Sequence, residues 1–231
     1  MPELLLELFS EEIPARMQKR ASNDLKRLVT DGLKSAGLEF TSAEAFATPR
    51  RLALVVDGLP EKQPDVHEER RGPRADAPEK AINGFKGSLP DGTKVEERET
   101  DKGTFLYAVV DKKGTDSVAV ISALVPDVIR SLPWPKSMRW AETEMRYVRP
   151  LQSVTCVFAG NILTGEVDLG RGQQLAFGTH VRGHRFHAPE PFTVSSFNTY
   201  RAGLANAKVM LDPAERRAKI ERDLGALAEE A

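Results

Sequence analysis

Residues 4–14, LLLELFSEEIP, and the stretch that follows, ARMQKRASNDLKRLVTDGLKSAG (15–37), decide how the chain is read. Leu4, Leu6 and Leu8 alternate with Leu5, Glu7 and Phe9. Both faces of such a segment are mostly apolar, so it reads as a largely buried strand. Ser10 to Ile13 forms a short acidic corner. Pro14 suits the first turn of a helix, where its missing N–H costs nothing. Met17, Ala21, Leu25, Leu28 and Gly32 then fall on one helical face, with Val29 and Leu33 beside them, and Gly37 stops the helix. Phe46 to Val56 returns to extended chain, giving a strand–helix–strand start.

Beyond it the pattern changes. From Gly58 to Gly92, five prolines and the run HEERRGPR predict a loop-rich insertion, interrupted by a short helix at Glu79–Lys86. Phe105–Val110 reads as a strand after the turn Asp101-Lys102-Gly103, with a polar strand expected at Lys94–Glu99. Val118 to Leu132 repeats helically around Pro126, where an interior proline costs about 3 kcal/mol, so the helix kinks or restarts there. Val154–Ala159 and Ile162–Asp168 flank Gly160-Asn161 as a hairpin, and Leu175–Phe186 reads as extended. Asp212, Pro213 and Glu215 mark the start of a last helix striped by Ile220, Leu224 and Leu227, which looks cut at Ala231. The expected fold is α+β, with mixed or antiparallel sheets and helices packed on them. Residues 1–211 form one α+β region, divisible into two subdomains near 58–92, and 212–231 a terminal helix that links to or begins a further domain.

Composition excludes several classes. Hydrophobic residues make up 40% and charged residues 29%, enough for a real core. Thirty-three basic against 34 acidic side chains leave a net charge of −1, so contact with a polyanion must come from local clustering. One cysteine rules out an internal disulfide framework and a Cys-rich zinc site. Cys156, in the apolar run VTCVF, reads as buried and inert. No apolar run approaches the length of a membrane span, and the acidic opening is unlike a signal peptide, so a cytoplasmic location is expected. No phosphate-binding glycine loop and no nucleophile elbow occurs. His184 and His187 lack a third ligand, and the adjacent Glu11-Glu12 pair is poorly placed to converge on one atom.

The chemistry that stands out is arginine at chain reversals. Arg50-Arg51 follow Pro49; Arg70, Arg71 and Arg74 bracket Gly72-Pro73; Arg139, Arg146 and Arg149 lie in PKSMRWAETEMRYVRP; Arg182 and Arg185 surround His184. Guanidinium groups grip phosphate oxygens bidentately, and Trp140, Tyr147 and Phe186 nearby could stack on bases. The competing reading pairs these arginines with acids on a solvated face, as in a bridge from Arg139 or Arg185 to Glu142 or Glu144. On residues alone the chain is an α+β module that binds RNA or a protein partner.

Taken in order, LLLELFSEEIPARM, TPRRLAL, RRGP, LPWPKSMRW with VRP, RGHRF and AKVMLDPAERR resemble the N-terminal region of the β subunit of bacterial glycyl-tRNA synthetase, the heterotetrameric type. The resemblance implies a part in ATP-dependent attachment of glycine to tRNA-Gly. It implies that the catalytic core lies in the α subunit and that the β chain continues past residue 231. It implies no catalytic residue and no cofactor bound by this chain, ATP and Mg²⁺ belonging to the assembled enzyme. The implied partners are the α subunit, tRNA-Gly and the remaining β-subunit domains. Arg139, Arg146, Arg149, Arg182 and Arg185, then Arg50, Arg51, Arg71 and Arg74, are the residues expected to meet tRNA. The alternative is a purely structural assembly module without direct tRNA contact.

Overall fold

The computed structural model of the chain describes residues 2–90, 92–101 and 103–230. The fold is α+β with antiparallel sheets, and it divides into two compact units: residues 1–61 with 116–231, and residues 62–115.

The first unit is built on a five-stranded sheet in the order β2-β3-β1-β7-β8. Strand β1 (Glu3–Ser10) is central, between β3 (Arg51–Asp57) and β7 (Leu151–Phe158); β2 (Ser42–Thr48) and the two-residue β8 (Asn161–Ile162) are the edges. Leu4, Leu6 and Leu8 face helices α1 (Ala15–Ser35) and α3 (Ser117–Ser131), meeting Leu25, Val29, Ile121 and Val125. Leu5 faces the other way, with Ala53 and Val157, into a second core closed by Tyr200 and Leu204 of α4 (Phe197–Asn206). A strand covered on both faces needs apolar residues at both parities, which is why LLLELF does not alternate. Each fully buried leucine contributes about 1.5–3 kcal/mol. Glu7 shares the parity of Leu5, so the fold carries a carboxyl into the second core, 1% exposed.

Several local expectations change. Phe46–Val56 is two strands, β2 and β3, joined at Pro49-Arg50. Helix α3 runs through Pro126 as one element. The β7–β8 turn is centred on Ala159 and Gly160, both with positive φ, one residue before the expected Gly160-Asn161. The strand read at Ile162–Asp168 is split between β8 and β9 (Glu166–Gly170), and β9 pairs with β10 (Gln173–Ala176). Extended chain past Ala176 gives way to a compact loop at 183–188, because the His184 ring and carbonyl accept from Phe186, His187 and Ala188 N–H. Helix α4 was not expected; Ser196 caps it, with Thr199 returning the bond in a capping box. Helix α5 (Pro213–Glu230) has Asp212 accepting from Ala214 N–H, while Glu215 turns to Arg201 instead of closing a box. Ala231 lies outside the described residues.

The second unit is a three-stranded sheet, β4-β6-β5, with α2 (Glu79–Gly87). Here β4 is Val66–Arg74, β5 Lys94–Thr100 and β6 Gly103–Lys112. The stretch read as loop-rich thus contains an edge strand and a helix. Residues 67–71 of β4 are all exposed, so HEERR carries no apolar alternation to betray a strand. Gly72-Pro73 sits in its register shift, where an edge strand tolerates proline. Lys102 of the expected turn lies outside the described residues. Among the described residues no helix is long and apolar enough to cross a membrane.

Candidate nucleic-acid interface

The acidic corner at Ser10–Ile13 ties three parts of the first unit together. Ser10 N–H donates to Arg50 O at 2.8 Å, Ile13 N–H to Pro49 O at 2.5 Å, and Glu11 N–H to Pro150 O at 3.0 Å. The β2–β3 turn and the chain at Pro150 are thereby fixed beside one another. Glu11 also holds side chains: its carboxylate accepts from Arg50 at 3.1 Å and from Gln152. The adjacent acids are therefore structural partners of arginine, and Glu12 takes Arg185 at 3.5 Å. The Glu12 carboxyl lies below the usual range, chiefly through its own backbone N–H, with Arg185 and Arg50 adding to it.

Arg50 and Arg51 are neighbours in sequence with opposite fates. Arg50 lies at the turn, its guanidinium 4.8 Å from the Phe9 ring centre and bonded to Glu11 and Gln152. Arg51 opens β3 opposite Phe9 and points inward, 2% exposed. It donates to Glu7 at 3.2 Å and to the Arg182 carbonyl at 2.8 Å. Tyr200 donates its hydroxyl to the same Glu7 oxygen. Burial pushes the Glu7 carboxyl up, and Arg51 and Tyr200 pull it back. Arg51 is thus a buried brace that pins the loop carrying Arg182 and Arg185.

That loop closes over the end of α4. His184 N–H donates to Ala207 O at 2.9 Å. A Cβ on Gly183 would stand 2.4 Å from Ala207 Cβ, so only glycine permits the approach. The loop holds Phe186 outward, 72% exposed, with the Arg185 guanidinium 4.8 Å from its ring centre. Helix α4 ends in a Schellman motif: Val209 N–H reaches Leu204 O and Lys208 N–H reaches Ala205 O. Helix α1 ends the same way, with Gly37 at the position of positive φ. In α4 that position is Lys208, φ 61°. A left-handed L-residue costs about 1 kcal/mol, so a lysine is held where glycine would be easier.

Between these parts lies an open cavity of about 360 Å³. Arg50, Arg51, Arg185, Lys208 and Arg216 line it, with Glu12 the one carboxylate in its wall among the described residues and Pro49, Phe186, Val209 and Met210 as apolar surface. Arg216 donates to the Met210 and Ala47 carbonyls, fixing the start of α5 against the cavity. A second cavity of about 190 Å³ shares Arg50, Gly183 and Arg185 and adds Arg182. Four of the nine expected arginines, Arg50, Arg51, Arg182 and Arg185, are therefore gathered at one place. Lys208 and Arg216 join them; neither was among the expected site residues, although both lie in AKVMLDPAERR.

Of the other five, Arg139, Arg146 and Arg149 belong to the same unit and Arg71 and Arg74 to the second unit. Arg139 is exposed and has no ion-pair or hydrogen-bond partner among the described residues. Arg146 donates to Ser137 Oγ at 3.2 Å and Ser137 O at 3.1 Å, closing the hairpin bridge between Met138 and Tyr147. Arg149 donates to Val148 O at 2.7 Å. None of these three lines either cavity. Tyr147 is buried and edge-on to Trp134, so it offers no face for stacking. Glu144 pairs with Arg171 rather than with Arg139 or Arg185. In the second unit Arg71 covers the Phe105 ring at 3.7 Å, and Arg74 donates to Asp76 at 3.1 Å. No three His, Cys, Asp or Glu side chains gather as a metal site among the described residues.

The model of the glycyl-tRNA synthetase beta subunit family matches residues 4–231. The chain belongs to this family. It is 44% identical, over 99% of its length, to the glycine–tRNA ligase beta subunit of Rhodospirillum centenum, 35% of which is covered. For the same subunit of Paracoccus denitrificans the figures are 49%, 99% and 33%, and for that of Cereibacter sphaeroides 51%, 95% and 32%. The chain thus spans about a third of the length of the curated relatives it matches. Four of the stretches that carry the family resemblance, SEEIP, TPRR, RGHRF and AKVMLDPAERR, supply the lining of the larger cavity.

Proposed function

We propose that this glycyl-tRNA synthetase β-subunit region contacts and positions tRNA-Gly for ATP-dependent glycylation by the assembled, cytoplasmic ligase. In this reading the α subunit carries out the chemistry and handles ATP and Mg²⁺, and this chain contributes orientation rather than bond-making. The observation that carries it is the gathering of Arg50, Arg182, Arg185, Lys208 and Arg216 around two cavities that share Arg50 and Arg185, on a chain of net charge −1. Such a cluster attracts a polyanion locally where the whole protein does not. Arg51 serves by holding the Arg182 loop, and Arg139, exposed and unpaired among the described residues, is a separate candidate contact.

The test is a titration of the chain with tRNA-Gly and with an unrelated tRNA at two salt concentrations. Each unpaired phosphate contact contributes about −0.7 to the log–log salt slope. Arg185→Ala should flatten the slope by about that amount with unchanged melting. Salt-independent binding, or none, would remove the reading. A second reading, in which the region also serves assembly, is favoured by α5, where Ile220, Leu224 and Leu227 are 54%, 61% and 62% exposed along one stripe. Its check is capture of the α subunit by the chain, weakened by Leu224→Glu.

A further inference from the structure

We infer that the 360 Å³ cavity receives one unpaired ribonucleotide of the bound RNA, its base against Phe186 and its phosphate among Arg50, Arg185 and Lys208. This rests on the tRNA-contact reading and deepens it, from a charged surface to a site of defined occupant. Three observations carry it. The volume lies at the low end for small-molecule clefts, about 300–1,000 Å³, which suits one nucleotide and excludes a duplex. The wall is divided chemically. Pro49, Val209, Met210 and Phe186 are apolar, and the polar side chains around them are mostly cationic donors. That division matches a flat, apolar base joined to an anion. Finally, two features favour contact over comfort. Phe186 is the most exposed of the large hydrophobic side chains of the described residues, held out by the His184-centred loop. Lys208 occupies a left-handed position that its own helix end would fill better with glycine. With the Arg185 guanidinium and the His184 ring as its neighbours, the Phe186 ring still has most of its surface open to a base.

The experiment compares three probes on the wild-type chain, Phe186→Ala and Lys208→Gly: an unstructured tetra-adenylate RNA, an abasic tetramer of equal charge, and free AMP. Stacking of one base on an aromatic ring corresponds to roughly a tenfold preference for tetra-adenylate over the abasic strand. Phe186→Ala should abolish that preference and leave abasic binding unchanged. Lys208→Gly should weaken both strands and flatten their salt slopes by about 0.7. Its melting temperature should hold or rise, since glycine relaxes the left-handed position; a merely structural lysine would lower it. Equal binding of both strands by the wild type, or a preference that survives Phe186→Ala, overturns the nucleotide site while leaving phosphate gripping in place. AMP bound as tightly as tetra-adenylate overturns the RNA assignment in favour of a free nucleotide. No salt-dependent binding of either strand removes this inference together with the reading beneath it.

Discussion

Replacing Arg51 with alanine separates brace from contact most sharply. The guanidinium is 2% exposed and its partner Glu7 1%, so the substitution strands a buried carboxylate whose remaining donor is Tyr200. Removing one member of a buried ion pair costs about 3–5 kcal/mol, because the desolvation of the other is no longer compensated. The Arg182 carbonyl loses its donor as well. Against a total stability of about 5–15 kcal/mol this is a large fraction. For a domain of this size each kcal/mol lowers the midpoint by about 2–4 °C, so the expected drop is roughly 6–20 °C. Thermal and urea unfolding followed by circular dichroism read it directly. Removing both charges and the hydroxyl, as Glu7→Leu, Arg51→Leu and Tyr200→Phe together, should recover most of the loss, since apolar replacements of a buried pair are often neutral. An Arg51→Ala protein that melts within about 1 °C of wild type and yet loses RNA affinity would refute the brace and make Arg51 a ligand contact.

Other consequences are simpler to check. Gly183→Ala forces a Cβ to 2.4 Å from Ala207 Cβ and 2.9 Å from Ala207 O, and overpacking of this kind costs about 1–3 kcal/mol; a variant as stable as wild type would show that the loop does not need that approach. Glu12→Gln removes the carboxylate that competes for Arg185 at the cavity rim, so RNA should bind about two- to fivefold tighter, the range of an exposed ion pair, and weaker binding would contradict the charge argument. Burial pushes the Cys156 thiol up to about 12, so a disulfide reagent at pH 8 should react only as fast as the chain unfolds; prompt labelling of native protein would contradict its place under α1 and α3.

How much of this can be read without coordinates varies from element to element. Helix α1 is legible because burial of one face imposes a period on its side chains, and strand β1 because burial of both faces leaves a short, nearly continuous apolar run. Strand β4 is not: it has charged groups facing solvent at consecutive positions, and its pairing with β6 is a matter of backbone register. Helix α4 is short and mixed in character, and its one clear sign is Ser196 three residues before Thr199. At the site, the arginine-rich turns are visible in the sequence, but their meeting depends on the Arg51–Arg182 link across 131 residues, which no local pattern encodes. The distinction between Arg50 and Arg51 was available in principle. Arg51 has the parity of Ala53 within an apolar run, and Glu7 has the parity of Leu5 within another. Opposite charges at inward positions of two core strands point to a buried pair. Lys208 carried no such mark, because only the backbone angle sets it apart.

The central place of β1 also has a consequence for how the chain comes into being. Its two neighbours emerge at very different times. β3 follows within one helix and one hairpin, whereas β7, whose Phe158 pairs with Leu4, follows only after residues 62–115 have been made. At about 5–20 residues per second the ribosome takes roughly 5–20 s to go from the end of β3 to the end of β7. During that time the central strand of the sheet has one open edge and unpaired backbone donors, the condition in which strands recruit the wrong partner. Synthesis in the cell therefore favours anything that shelters that edge on the nascent chain, and overproduction of this region should yield more native protein when translation is slowed or a holdase is abundant.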